Sequence, residues 1–370
     1  MTPNYRSDCR HYLGEKPCRF KCGHDGCTHF EPFGTRILII KLGAIGDVLR
    51  TTPLLPILKQ RYPQSHITWV VEEAGAPLLA GNPYIDKILT PGLDTLSRLL
   101  VERYDIVICL DKIDRATGLA SRAQAELKLG FGMTAQGTLD IFNKEAEYAL
   151  LLGISDELKF RRNQKSYQRI MVEALGLPYN GEEYVLALDE REVAWAEILR
   201  TRHNLAGHLV VGVNTGAGTG FAGKAWRPER LAELCRRAAH ELGARILLLG
   251  GPQEKERNRE IARLAEVTVE TGCDHTLPRF AAIVNLCDTV VTGDTTCMHI
   301  AIALRKKVVA LFGSTCPQEI DLYGRGEKIV ADVECAPCYL KTCPIGEICM
   351  DSITTDEVFE ALRRMVCSTP

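Results

Sequence analysis

The chain has 370 residues, of which 46% are hydrophobic and 25% charged, a composition typical of a folded protein with more than one domain. Its 45 basic and 47 acidic side chains give a net charge of −2, which excludes bulk attraction to nucleic acid. No apolar run reaches the roughly 18 residues of a membrane-spanning helix, and the N-terminal residues lack the apolar core of a signal peptide. We therefore expect a cytoplasmic protein.

The first 33 residues are poor in aliphatic side chains and rich in cysteine, histidine and charge. Thiols stay reduced in the cytoplasm, so closely spaced cysteines there favour a metal site over disulfides. A segment with so few core residues also needs a ligand or a cross-link to hold it. We predict a structural metal site formed by Cys9, Cys18, Cys22 and Cys27, with His11, His24 and His29 as alternative ligands.

Apolar strands alternate with helices from residue 36 onward. RILIIKLG and HITWVVEE are predicted strands, and LRTTPLLPILKQRYP is a predicted helix between them. The alternation continues to the strand KVVALFG, and near-continuous apolar strands between helices indicate parallel sheets covered on both faces. We predict an α/β protein in which two doubly wound Rossmann-like domains face a cleft. The predicted segments are 1–33 (cysteine-rich), 34–190 and 191–332 (Rossmann-like), and 333–370 (four cysteines and a closing helix).

The first loop at a strand end reads Gly43-Ala44-Ile45-Gly46-Asp47. Glycines between a strand and a helix allow an anion to approach the backbone, but the Asp47 carboxylate would repel a phosphate. The residues alone fit either a ligand site or a plain turn in which Asp47 is a helix N-cap.

Three loops at predicted strand ends in the second half carry polar side chains. A loop with Thr215 and Gly216 leads to Lys224, which could clamp a diphosphate. Glu254 follows another strand and could accept hydrogen bonds from ribose hydroxyls. The third loop opens a helix whose N-terminus suits an anionic leaving group, and we predict Asp294 as its cap. This loop contains Asp294, Thr295, Thr296 and His299.

A second cysteine cluster lies near the C-terminus, in CAPCYLKTCPIGEIC. Four thiolates so close together favour zinc, iron or an iron–sulfur cluster, with free thiols or a redox disulfide as the alternatives. Neither cluster follows a predicted strand, so both are assigned to structure rather than to catalysis. The spacing leaves open whether the eight thiols form one site or two. The predicted ligands here are Cys335, Cys338, Cys343 and Cys349.

Four motifs, KLGAIGDVLRTTP, GKAWRPERLAEL, GGPQEKE and GDTTCMHIAIAL, together resemble glycosyltransferase family 9, the ADP-heptose:lipopolysaccharide heptosyltransferases. The resemblance covers roughly residues 36–330 with the motifs in the family's order. It implies a GT-B fold in which the acceptor binds the N-terminal domain and ADP-heptose binds the C-terminal one. It also implies inversion at the anomeric carbon without a catalytic metal.

The resemblance also implies roles for individual residues. It implies that Asp47 is the general base, and that Lys224 neutralises the departing diphosphate with His299 beside it. The implied donor-binding residues are Thr215, Gly216, Lys224, Glu254, Asp294, Thr295, Thr296 and His299. The expected acceptor-binding residues are Gly43, Gly46, Arg161, Arg162 and Lys165.

The basic stretch KFRRNQKSYQR, which contains the last three of these residues, could grip phosphates of a lipid-linked acceptor at the inner membrane face, although such runs are often only a solvated helix face. The chain departs from the family pattern at two positions. Thr296 stands where glycine is usual, and Lys307 stands where proline is usual.

The expected function is inverting transfer of heptose from ADP-heptose to a hydroxyl of the lipopolysaccharide core or a related glycan. The expected partners are this donor and a lipid-linked glycan or protein acceptor. One alternative is a protein O-heptosyltransferase acting on autotransporter proteins, because some such relatives carry a C-terminal four-cysteine iron site. Others are a nucleotide-sugar epimerase and a non-catalytic metal- or redox-sensing module.

Overall fold

A computed structural model describes residues 6–21, 27–217 and 224–367, so the predicted ligands Cys22 and His24 lie outside the described residues. The described part contains two six-stranded sheets. The strands are β1 (Arg36–Ile40), β2 (His66–Val70), β3 (Lys87–Leu89), β4 (Arg103–Cys109), β5 (Gln124–Met133), β6 (Leu139–Ile141), β7 (Val210–Asn214), β8 (Arg245–Leu249), β9 (Thr268–Glu270), β10 (Thr289–Gly293), β11 (Lys307–Phe312) and β12 (Gly326–Val330).

Helices connect these strands. They are α1 (Ile45–Leu49), α2 (Leu54–Arg61), α3 (Ala76–Leu79), α4 (Leu93–Val101), α5 (Asp114–Arg122), α6 (Glu147–Leu151), α7 (Tyr167–Glu173), α8 (Glu190–Arg202), α9 (Pro228–Leu242), α10 (Lys255–Ala265), α11 (Leu277–Asn285), α12 (Thr296–Ala303), α13 (Ile348–Ser352) and α14 (Thr355–Cys367). A π-helical turn spans Glu157–Arg162.

The strand order is β3-β2-β1-β4-β5-β6 in the first sheet and β12-β11-β10-β7-β8-β9 in the second. All pairings are parallel except that of β5 with β6. The order reverses beside β1 in one sheet and beside β7 in the other, and ligands collect at such switch points beyond the carboxyl ends of the strands. The predicted α/β class with two doubly wound parallel sheets is confirmed, whereas the predicted domain limits stay predictions.

Side chains of the central strands are buried on both faces of each sheet. In β7, Val211 and Val213 pack into a core with α9 and α14, while Val210 packs into a second core with α11 and α12. This alternation follows from the two-residue period of a strand. It explains the near-continuous apolar sequence of these strands, since neither face meets water.

The helix predicted across residues 49–63 is interrupted. The Thr51 and Thr52 hydroxyls donate to the carbonyls of Asp47 and Leu49, which ends α1, and Pro53 lacks the N–H that a continuing helix needs. The last helix, α14, is capped by Thr354. Its backbone N–H donates to Glu357 Oε2 at 2.8 Å, and Glu357 N–H donates to Thr354 Oγ1 at 3.3 Å.

The strands β5, β6, β9 and β12 were not predicted because their sequences mix polar and apolar residues instead of forming an apolar run. The prediction that neither cysteine cluster follows a strand is therefore wrong for the C-terminal cluster. Cys335 follows β12, which ends at Val330. Within residues 6–21, 27–217 and 224–367, no helix has the length and apolarity needed to cross a membrane.

Candidate active site

A cavity of about 850 Å³ lies between the carboxyl ends of the two sheets. The loop after β1, together with Arg50 and Lys159, lines it from the first half of the chain. The loops after β7, β8 and β10 line it from the second half, together with Tyr339. A cleft of this volume is in the size range of small-molecule binding sites.

Asp47 lies within α1 and is not a helix cap, since the N-cap of α1 is Ala44. Its carboxylate is one-third exposed and lies 2.9 Å from Arg50 Nη2 and 3.6 Å from Lys41 Nζ. Burial raises the pKa of Asp47, but the positive charges of Arg50 and Lys41 outweigh burial and hold this pKa below its ordinary value. Asp47 is therefore ionised at neutral pH and able to accept a proton.

Lys41 is buried beneath Asp47 and joins it to a second carboxylate. Its ammonium lies 3.5 Å from Asp111 Oδ1. Asp111 in turn accepts hydrogen bonds from the backbone N–H groups of Leu42 at 2.9 Å and Gly43 at 3.3 Å. The loop after β1 is thus fixed by Asp111, which follows the adjacent strand β4, and this restricts the position of the Asp47 carboxylate.

Gly46 lies where α1 contacts α12 of the second half. A Cβ atom at this position would lie 2.4 Å from His299 Cδ2, well inside van der Waals contact. Only glycine lets α1 approach α12 this closely. Gly46 was predicted to bind the acceptor, and this stays a prediction. The structure shows that Gly46 lets α1, which carries Asp47, pack against α12.

His299 is 5% exposed, and its Nδ1 lies 3.2 Å from Tyr184 Oη. Its Nε2 lies 3.8 Å from Asp294 Oδ1. Burial, and then the charge of Arg50, lowers the pKa of His299 to about 4. The imidazole is therefore neutral at pH 7, so it can donate or accept a hydrogen bond but supplies no positive charge for a departing diphosphate.

The loop before α12 brings a cation and a helix N-terminus to the opposite wall. Lys224 Nζ donates to Asp294 Oδ2 at 3.2 Å and to the Asp294 carbonyl at 3.1 Å. The prediction that Asp294 caps the helix is wrong. Thr295 is the N-cap, and its Oγ1 accepts from Met298 N–H at 3.5 Å. Asp294 is engaged with the Lys224 ammonium, and this interaction outweighs burial to lower its pKa.

Glu254 lies beside the glycine of the loop after β7. Its Oε2 accepts from Gly251 N–H at 2.8 Å. A Cβ at Gly216 would lie within 2.2 Å of the Glu254 carboxyl group, so this glycine makes room for the carboxylate. Both residues line the cavity, as do Thr295 and Thr296.

Some predicted site residues lie outside the cavity. The Thr215 hydroxyl is turned into the protein, where it hydrogen bonds with the Leu249 carbonyl and Asn258 Oδ1. Lys165 forms an ion pair with Glu173 at 2.6 Å. Lys307, which stands where the family usually has proline, donates to the Met365 carbonyl at 2.8 Å, also away from the cavity. The predicted residues that do not line it are Gly43, Thr215, Arg161, Arg162 and Lys165.

Arg50 and Tyr339 line the cavity but were not among the predicted site residues. Arg50 pairs with Asp47, and its Nη1 lies 3.8 Å from Glu319 Oε2 of the second half. Arg50 was detectable, because it stands three residues after Asp47 and on the same helix face. Tyr339 lies in the cysteine segment and gave no sequence signal as a cavity residue.

The C-terminal thiols converge. Cys335, Cys338, Cys343 and Cys349 line one cavity of about 20 Å³, and all four are free thiols. Burial, with the charges of the other three thiols, raises the pKa of Cys349. In the described part of the chain, no three His, Cys, Asp or Glu side chains are arranged as a ready metal site. The metal-binding character of both cysteine segments is thus not shown.

The cleft between two doubly wound sheets has the GT-B architecture. The family model described as glycosyltransferase family 9 (heptosyltransferase) matches residues 94–349. Lipooligosaccharide heptosyltransferase 2 of Campylobacter jejuni is 31% identical over 174 residues, which cover 44% of this chain and only 53% of the relative. Lipopolysaccharide heptosyltransferase 1 of Escherichia coli is 25% identical over 319 residues, 80% of this chain and 92% of the relative.

A glycosyltransferase family 9 structure from Veillonella parvula shares the fold, with a TM-score of 0.72 at 22% identity over 90% of this chain and 98% of that one. The match of the family model spans most of the chain. This protein belongs to glycosyltransferase family 9, the heptosyltransferase family.

Proposed function

We propose that the protein is an inverting heptosyltransferase that transfers heptose from ADP-heptose to a hydroxyl of a lipopolysaccharide core. The observation that carries this proposal is the pairing of groups across one cavity. An ionised carboxylate, Asp47, lies on the wall formed by the first sheet. A lysine, Lys224, and the N-terminus of α12 lie on the wall formed by the second.

The proposed reaction needs both walls. The acceptor oxygen attacks the anomeric carbon while its proton passes to Asp47, and the bond from that carbon to the diphosphate oxygen breaks with its electron pair leaving on ADP. An alcohol is a poor nucleophile, so proton removal during bond formation contributes about 10²–10⁴-fold. Attack from the face opposite ADP inverts the anomeric centre.

The second wall is suited to the departing diphosphate. The N–H groups at the start of α12 carry partial positive charge, and Lys224 is held beside them by Asp294. We assign Glu254 to the ribose hydroxyls, because one of its oxygens already accepts from Gly251 and the other faces the cavity edge formed by Gly216. His299, which is neutral, would hold Asp294 and Tyr184 in place.

The test compares Asp47→Asn, Lys224→Met and the control Asp94→Asn, an exposed aspartate in the first turn of α4. Asp47→Asn should bind ADP-heptose normally by calorimetry and lose about 10²–10⁴-fold in kcat. Lys224→Met should weaken ADP-heptose binding, and the control should match the wild type. NMR of the product should show inversion. Full turnover by Asp47→Asn, or loss of its donor binding, would contradict the mechanism.

A protein acceptor is the second candidate within the same mechanism, and the same assay with an autotransporter protein in place of the lipopolysaccharide core decides between them. An epimerase would place its acid and base groups around the donor sugar, and would release free epimerised nucleotide sugar without an acceptor. A metal- or redox-sensing module without activity would fail both assays. For transfer to a lipid-linked core, the enzyme would act at the cytoplasmic face of the inner membrane.

We also propose that the four C-terminal thiols hold one structural zinc or iron ion. Support comes from their convergence on one cavity and from their chemistry, since four thiolates match the preferred ligands of either ion. Metal analysis of the purified protein should give one equivalent for this site, lost in Cys338→Ser. Four freely titrating thiols and no metal would refute this proposal. The N-terminal site stays a prediction, because Cys22 lies outside the described residues.

A further inference from the structure

Lys159 is the residue of the basic stretch that reaches the active-site cavity. It lies in the π-helical turn Glu157–Arg162 and lines the cavity, whereas the neighbouring Arg161 and Arg162 do not. Its ammonium lies 3.8 Å from the centroid of the Tyr339 ring and 5.5 Å from that of Phe160. Within the described residues, no carboxylate forms an ion pair with it.

The other positive charge on this side of the cavity is already neutralised. Arg50 lies between Asp47 and Glu319, so its charge is shared by two carboxylates. Lys159 instead rests on aromatic rings, and a cation–π contact leaves the ammonium able to donate hydrogen bonds on its open side. Lys112 donates to the Ala149 carbonyl and does not line the cavity. Among the described residues of the first half that line the cavity, Lys159 therefore carries the positive charge that no carboxylate neutralises.

Contacts from the second half hold Lys159 in position. Gln318 Nε2 donates to the Lys159 carbonyl at 3.1 Å. The ring of Phe160 stacks on that of Tyr339 at 5.7 Å, with an angle of 10° between the ring planes. These contacts connect the π-helical turn of the first half to the segment after β11 and to the cysteine segment of the second half.

Tyr339 is itself fixed by its surroundings. The backbone N–H groups of Cys338 and Tyr339 both donate to the Ser314 carbonyl, at 3.1 and 2.9 Å. Cys316 N–H donates to Tyr339 Oη at 3.2 Å. Because Tyr339 directly follows Cys338, the thiol cluster lies next to the ring on which the Lys159 ammonium rests.

We propose that Lys159 binds an anionic group of the acceptor, a phosphate or a carboxylate, and that Tyr339 is its positioning residue. We assign the group to the acceptor because Lys159 belongs to the half of the chain that carries Asp47, whereas Lys224 and α12 belong to the other half. This inference deepens the proposed function and rests on it. It makes the charge of the acceptor a determinant of specificity.

The first experiment measures calorimetric binding and heptose transfer with heptose-deficient lipopolysaccharide as the probe. Lys159→Met keeps the apolar stem and removes the charge. It should raise the dissociation constant and the acceptor KM about 10- to 100-fold, the size of one charge-assisted hydrogen bond. Its kcat and its affinity for ADP-heptose should not change. Lys159→Arg should restore binding, and Lys144→Ala, an exposed lysine away from the cavity, is the control.

Chemically modified probes identify the anion. If the group is a phosphate, dephosphorylated lipopolysaccharide should bind the wild type and Lys159→Met equally weakly. If the group is a carboxylate, carboxyl-reduced lipopolysaccharide should bind the wild type and Lys159→Met equally weakly. Tyr339→Leu should raise the acceptor KM without changing donor affinity, which general destabilisation would not do selectively.

Three outcomes separate this inference from the proposed function. The role of Lys159 is overturned if Lys159→Met binds the acceptor normally. It is also overturned if the wild type and Lys159→Met still differ in affinity for both modified probes. Binding of the native probe by the wild type without heptose transfer overturns the proposed function only, because the binding comparison still tests Lys159. No binding of the probe by the wild type overturns both.

Discussion

Gly46→Ala should destabilise the protein although alanine is the better helix former. Glycine within a helix costs about 0.5–1 kcal/mol relative to alanine, so the substitution in α1 would stabilise the protein if space allowed. The new Cβ, however, would lie 2.4 Å from His299 Cδ2, more than 1 Å inside ordinary contact. Overpacking of this kind typically costs about 1–3 kcal/mol. We expect a net loss of roughly 1–2 kcal/mol in the free energy of unfolding.

The assay is urea denaturation of the wild type, Gly46→Ala and the matched Gly43→Ala, whose Cβ would meet nothing within 4 Å. The free energy of unfolding of Gly43→Ala should lie within about 0.5 kcal/mol of the wild-type value, because the added Cβ meets no neighbouring atom. Combining Gly46→Ala with His299→Ala should cost less than the sum of the two changes, because the ring that meets the Cβ is then absent. A Gly46→Ala protein more stable than the wild type would refute the close packing of α1 on α12.

Two further predictions test the buried histidine and the donor loop. The pKa of His299 is about 4 in the folded protein and near 6.5 when unfolded, so the unfolded state binds the extra proton between these values. Stability should therefore fall as pH drops from 6.5 to 4, by about 3 kcal/mol from this residue, and the pH dependence of urea denaturation should be correspondingly smaller in His299→Gln. Gly216→Ala should weaken calorimetric ADP-heptose binding by displacing the Glu254 carboxylate. Gly92→Ala, with nothing within 4 Å of the added Cβ, should bind like the wild type, and equal affinities of the two variants would contradict the argument.

Sequence patterns could predict which loops meet at the cavity because parallel strands place their carboxyl ends on one edge. The apolar runs located strands such as β1, β8 and β10, and Asp47, Glu254 and His299 each follow such a run. The distinction between Asp294 and Thr295 as the helix cap was not predictable, since both residue types cap helices and they are adjacent. Asp294 instead pairs with Lys224, which is 70 residues away in the sequence, and Thr295 is left as the helix cap.

Contacts between the two halves of the chain lay beyond sequence reasoning for a similar reason. Lys159 stands in a run of basic residues that look equivalent in one dimension. The π-helical turn directs only this one to the cavity, and its partner Tyr339 comes from the distant cysteine segment. Likewise, the pairing of Arg50 with Glu319 depends on how the two sheets face each other. No local periodicity encodes such a pairing.

In the proposed mechanism, the charges around Asp47 make the placement of this carboxylate more important than its basicity. Arg50 and Lys41 lower the pKa of Asp47, which makes the carboxylate a weaker base than a free aspartate. The same cations fix it at 2.9 and 3.6 Å, and Arg50 also joins it to Glu319 on the opposite half. An acceptor hydroxyl becomes acidic only as the new C–O bond forms, so a weak base suffices if it already lies at the reacting oxygen. In the proposed mechanism, the loss of basicity is thus offset because the carboxylate stays ionised and is held in place by Arg50 and Lys41.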